Sequence, residues 1–158
     1  MRRALVDSSW ITCSKAKFCA QDPVYDFAIL VLSPKNGIGV GTAVGAADGW
    51  EVAAPDTIPG LWIFGYPSTH PRLLLSRTTA RTVMEGGTAY RVATTPDFTA
   101  GTSGGPWFSS YDPTAGTGVI YGDVGGFEEG GDHPTPSYSA FWKLSFAAVV
   151  AAAVRYEG

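Results

Sequence analysis

The sequence predicts an all-β chain closed by one short C-terminal helix. Three observations carry that expectation. Gly and Pro together make up about a fifth of the 158 residues, against a usual share of about 12%, so the chain is interrupted too often for long helices. Its apolar residues come in short runs bracketed by turn residues, the strongest being Phe27 to Leu32 between Asp26 and Ser33-Pro34. Only Leu144 to Arg155, with five alanines and no breaker, reads as a helix.

Taken in order, Phe27 to Leu32 has the length of a strand buried on both faces. Lys35-Asn36-Gly37 is a turn. The glycines from Gly37 to Gly45 have neither a dinucleotide register nor a phosphate-loop lysine, so no nucleotide site is expected. Leu61 to Tyr66 reads as a strand closed by Pro67. Leu73 to Leu75 and Thr78 to Val83 are further strands. Glu85-Gly86-Gly87 is a hairpin turn leading to a strand at Tyr90 to Ala93. Val119 to Tyr121 is another strand, and Glu128 to Asp132 is an acidic, Gly-rich loop.

Composition narrows the function classes. Apolar residues make up 45% and charged residues 16%, a globular profile sized for one domain. The net charge is −3 with no basic block, which argues against a nucleic-acid partner. The apolar run Phe146 to Val154 is too short to span a membrane, and no signal-peptide core follows Met1-Arg2-Arg3. Cys13 and Cys19 are expected to form a small local disulfide, with two free thiols as the alternative. Zinc would need ligands that the separate His70 and His133 do not cluster to supply. Glu128, Glu129, Asp132 and His133 are read as a solvated acidic loop, with a bound hard cation as the alternative.

The chemistry-bearing segment is Gly101-Thr102-Ser103-Gly104-Gly105-Pro106. Its glycines permit a tight turn. That turn can aim the amide N–H groups of Gly101 and Ser103 at one point beside a serine hydroxyl, which is the geometry of an oxyanion hole. The plain alternative is a Gly-rich connection between two strands.

That hexapeptide resembles the nucleophile motif of the chymotrypsin/trypsin-like serine protease family. Tyr25-Asp26-Phe27-Ala28-Ile29-Leu30 resembles the family's acidic triad segment, and Trp62 to Pro67 is similar to the strand end that opens its second barrel. Asp precedes Ser, as in the family. The resemblance runs from about residue 25 to the end. It implies a Greek-key β-barrel fold in one domain, with residues 1–60 a remnant of the first barrel and 61–158 the second barrel and C-terminal helix. It implies a secreted, monomeric serine endopeptidase acting on polypeptides without a metal or cofactor, with Ser103 as nucleophile, Gly101 and Ser103 as oxyanion donors and Asp26 as the residue that orients a histidine. Asp97, six residues before Ser103, would sit at the base of the substrate pocket, with the strand Tyr121-Gly122-Asp123-Val124 as its other wall.

Two departures from the family pattern shape the expectation. No histidine precedes Asp26, and neither His70 nor His133 matches the family's base, so the chain is expected to be a C-terminal portion with little activity by itself. Thr102 stands where many animal members carry Asp, and the cysteines that flank their nucleophile loop are absent. Both features resemble bacterial and fungal secreted members, including the glutamyl-endopeptidase-like branch. The rival expectations are a non-catalytic protease-like module that binds extended peptides by strand addition and an unrelated β-sandwich binding domain.

Overall fold

The computed structural model describes residues 2–13, 19–52, 55–130 and 136–156. Strands β6 (Thr57–Gly65), β7 (Leu74–Glu85), β8 (Thr88–Ala93), β9 (Pro106–Asp112), β10 (Thr117–Asp123) and β11 (Ser137–Ala140) form one curled sheet in the order β11-β8-β7-β6-β9-β10. β6, β7 and β8 follow one another as hairpins, and β9 returns to lie beside β6, which is Greek-key topology. The curl brings the outer strands together: Gly125 N–H donates to Tyr138 O at 3.0 Å, and Asp123 N–H donates to Ser139 Oγ at 3.1 Å. A short strand β5 (Gly49–Trp50) adds to β10 in parallel.

Side-chain alternation explains how the sheet curls around a core. In β6, Ile58, Leu61 and Ile63 all face inward, although a strict two-residue period would put Ile58 opposite Leu61. The register shift between Ile58 and Leu61, with Gly60 at φ +67°, is a β-bulge that restores the inward face. These side chains meet Ala80, Ala93, Phe98, Trp107, Tyr121 and Val124 in the barrel core. The Gly86-Gly87 turn joins β7 to β8 with Glu85 opposite Thr88, as the sequence predicts. Leu73 to Leu75 and Thr78 to Val83, expected as two strands, fall on one strand of 12 residues that begins at Leu74.

Residues 2–52 stand beside this barrel. β1 (Arg3–Val6) pairs with β4 (Ala28–Val31), and β2 (Ile11–Cys13) pairs with β3 (Cys19–Gln21). The expected Cys13–Cys19 disulfide closes the second pair. A single 3-10 turn, Pro23–Tyr25, precedes β4, and a short helix α1 (Val40–Val44) occupies the Gly-rich stretch. The C-terminal helix α2 (Leu144–Val154) forms where expected. Its Phe146 and Val149 pack with Phe27, Ala140 and Trp142 into a second core that binds the small β1–β4 sheet to the barrel.

One expectation is corrected. The stretch Phe27 to Leu32 is not buried on both faces: Phe27 and Val31 are covered, while Leu30 is 56% and Leu32 is 47% exposed. The reason is its neighbourhood. β4 has only β1 beside it, and α2 covers one face. Of the acidic loop, Phe127–Gly130 forms a 3-10 turn, while Asp132 and His133 lie outside the described residues.

Removing a core side chain from the barrel should therefore be far more damaging than removing one from the open face of β4. Leu61→Ala should cost about 2–5 kcal/mol and Leu30→Ala no more than about 0.5 kcal/mol, both read from urea unfolding midpoints.

Candidate functional site

The Gly-Thr-Ser-Gly-Gly-Pro segment is the last part of the loop between β8 and β9. Thr102 is its anchor. Its hydroxyl donates to Thr99 O at 2.9 Å, and its own N–H donates to the same carbonyl at 3.2 Å. The loop then spends its amides in alternation. Gly104 N–H donates to Val124 O and Gly105 N–H to Thr102 O, whereas the amides of Gly101 and Ser103 have no acceptor among the described residues. Gly101 is at φ +97°, and a Cβ there would come within 2.8 Å of Tyr66 O and Ser68 N, so only glycine fits. Two unused donors flank one buried anchor, which is the pattern an oxyanion site requires.

Asp26 comes to the same region from the N-terminal segment. It follows the Pro23–Tyr25 turn, and its Oδ2 accepts Gly126 N–H at 2.8 Å. The neighbouring Gly125 makes the approach feasible: a Cβ at that position would lie 2.8 Å from Oδ2. Asp26 and Ser103 line the same cavity of about 380 Å³, together with Trp10, Gln21, Gly104 and Asp123. The two residues that motif reading paired are thus in one cleft.

Asp123 was expected only as part of the strand walling the substrate pocket, with no chemical role of its own. It ends β10, two positions before the glycines that hold Asp26. Its Oδ1 is buried with no hydrogen-bond partner among the described residues. Burial first, and the charge of Asp26 second, push its carboxyl from the ordinary 3.8 up to about 7. The Trp142 side chain and the backbone of Asp123 itself pull the other way. The only available signal was a lone acidic residue closing an apolar strand.

The structure does not bring the expected pocket residues together. Asp97 is an exposed turn residue at φ +67°. Thr95 and Phe98 are buried on either side of it, so the turn turns Pro96 and Asp97 outward. It lines a separate cavity of about 480 Å³ with Leu74, Leu75 and Arg77, which does not contain Ser103. Tyr121 belongs to the barrel core and not to a pocket wall. Its ring lies under the Arg91 guanidinium at 5.2 Å, and burial pushes its hydroxyl up to about 12. Gly122, facing the opposite way, lines a cavity of about 410 Å³ with Gly104 and Asp123. His70 is exposed in the loop between β6 and β7 and does not line the cleft of Asp26 and Ser103. His133 lies outside the described residues.

Comparison with solved structures agrees with this architecture. A thermostable serine protease from an extremophilic microorganism superposes with a TM-score of 0.66 at 21% identity, over 84% of this chain and 60% of that one. The chain therefore has a trypsin-like serine protease fold and spans less than two thirds of that protease. No family model matches the sequence, and no curated protein matches it. Among the described residues, no helix is long and apolar enough to cross a membrane.

The raised carboxyl of Asp123 has a consequence for stability. Between about pH 4 and 7 the folded chain holds a proton there that the unfolded chain releases. Its contribution to stability is full below about pH 4 and is lost as pH rises through about 7. Urea midpoints measured across that window should fall more steeply for the wild type than for Asp123→Asn.

Proposed function

We propose that this chain carries the nucleophile side of a secreted serine endopeptidase. The observation that supports this reading best is the shared cleft of Asp26 and Ser103 beside the two unused amides of Gly101 and Ser103. In the proposed reaction Ser103 Oγ attacks the carbonyl carbon of a peptide bond, and its proton passes to a base. The oxyanion that forms accepts hydrogen bonds from Gly101 N–H and Ser103 N–H. The C–N bond breaks, the amine leaves with a proton from the same base, and water then hydrolyses the acyl-Ser103 ester. Asp26, fixed by Gly126, orients that base and stabilises its positive charge. Secretion agrees with the Cys13–Cys19 disulfide, which needs an oxidising compartment.

None of the described residues lining the cleft is a histidine. A serine hydroxyl is a poor nucleophile without a neighbouring base. Losing the base costs on the order of 10⁶ in turnover in the subtilisin example, about 8 kcal/mol of transition-state stabilisation. The same observation favours a second reading, a protease-like module that binds extended polypeptides without cleaving them.

Peptide and ester hydrolysis by the purified chain should accordingly lie near the Ser103→Ala background. Imidazole added as an external base separates the two readings. If Ser103 is a nucleophile awaiting a base, imidazole should accelerate its phosphonylation by a fluorophosphonate at least about tenfold, with saturation, as read by mass spectrometry of the Ser103 peptide. Asp26→Ala should remove the acceleration, and Ser103→Ala the modification itself. An unmodified Ser103 at saturating imidazole would sink the peptidase reading and leave the binding module.

A further inference from the structure

The 410 Å³ cavity lies among α2, β4, β5 and β10 and shares Ala28, Gly104 and Asp123 with the serine cleft. The proposed peptidase chemistry makes no use of it. Its walls are ring faces and aliphatic side chains. Trp142 stacks on Phe146 at 3.8 Å, and Trp50 meets Phe146 edge-on at 5.5 Å. Two carboxylates face this apolar space, Asp48 from the turn before β5 and Asp123 from β10. Among the described residues, none lining it is Lys, Arg or His.

A buried carboxylate without a partner is among the most costly groups a fold can hold. Asp123 Oδ1 and the indole N–H of Trp142 are both buried without a close hydrogen-bond partner among the described residues, and the pull of the Trp142 side chain on the Asp123 carboxyl is outweighed by burial. The charge of Asp26, fixed at Gly126 on the other side, adds repulsion. Asp48 gives one oxygen to Gly118 N–H at 2.8 Å and keeps the other uncommitted among the described residues. From α2 the cavity receives only Phe146 and Val150, while Lys143, at its start, lies over the Phe141 ring at 5.5 Å. Every charge that faces Asp123 is therefore negative, and the space beside it is lined with aromatic faces that favour cations. The missing complement is a positive charge on an apolar stem.

We propose that this cavity binds an alkylammonium group of the lysine side-chain type, with Asp123 as its principal counter-ion, Asp48 as the second, and the rings of Trp50 and Trp142 around its stem. The site stands beside the nucleophile loop, and its occupancy does not depend on whether Ser103 reacts. Entry of the cation ionises Asp123, so the proton held there leaves for solvent as the ion pair forms.

Calorimetric titration of the purified chain with n-butylammonium and with 1-butanol tests the assignment. The cation should bind saturably and the alcohol at least about tenfold more weakly. At about pH 6 each cation bound should release up to one proton, seen as a dependence of the heat on buffer ionisation enthalpy, and affinity should rise toward about pH 8. Asp123→Asn should weaken butylammonium binding at least about tenfold and abolish the proton release, and Asp48→Asn should weaken it about threefold, each with thermal melting as the check on folding. If Asp123→Asn does not fold, the two probes and the pH dependence on the wild type decide with Asp48→Asn. Equal binding of alcohol and cation, no saturable cation binding in the millimolar range, or unchanged affinity in a folded Asp123→Asn chain would overturn the proposal. Fluorophosphonate labelling of Ser103 is read separately, so either result leaves the other interpretable.

Discussion

One carboxylate oxygen ties the cleft together. Asp26 Oδ2 accepts Gly126 N–H, joining residues one hundred positions apart. Phe27, the next residue, is buried edge-on against Phe146, with ring centroids 5.3 Å apart. The polar contact fixes where the N-terminal segment meets the barrel, and the aromatic contact supplies the apolar burial that holds it there. The floor of the cleft is then set by where β10 stops. Asp123, Val124, Gly125 and Gly126 are consecutive, and each does something different: a buried acid, a core side chain, clearance for Asp26, and the donor to it. The loop that carries Ser103 is registered to the same four residues, because Gly104 N–H donates to Val124 O and Val124 N–H to Gly105 O. Serine, aspartate and the second acid are thus positioned by a single stretch of backbone.

How much of this was legible in the sequence follows from where local signals were strong. The hairpin at Glu85-Gly86-Gly87, the strands through Ile63 and Val92 and the helix at Phe146 were readable because turn residues and apolar runs coincide there. β1, β9 and β11 were not. Arg3–Val6 is short, Pro106–Asp112 begins with proline and carries two serines, and Ser137–Ala140 alternates serine with larger residues. Such segments become strands through their partners, not their own preferences. The burial of Phe27 to Leu32 was misjudged for a related reason. An apolar run marks a strand that needs cover, but which face is covered depends on neighbours that composition does not name.

The site divides along the same line. That Ser103 and Asp26 would share one cleft was readable because each sits in a motif that constrains several consecutive residues. Asp97, Tyr121 and Gly122 were placed by offset alone, and an offset carries no information about which way a loop turns. The buried anchors at Thr95 and Phe98 point the Asp97 turn outward, and strand alternation sends Tyr121 into the core. Asp123 shows the reverse case. Nothing local marks it, because its character comes from burial and from a carboxylate that is distant in sequence.

The two acids differ in a way that separates their roles. Asp26 is partly exposed, and its Oδ2 is held by the Gly126 N–H. Asp123 is its opposite, with an orphaned oxygen and a carboxyl that keeps its proton up to about pH 7. An asparagine would match its shape without the penalty of a buried acid. The backbone tie of the residue, N–H to Ser139 Oγ, would survive the exchange. What the acid adds, and the amide cannot, is a negative charge that appears only when a positive one arrives beside it. Because Asp123 faces both cavities, a cation in the aromatic one changes the field felt by Asp26 and Ser103 across a single side chain.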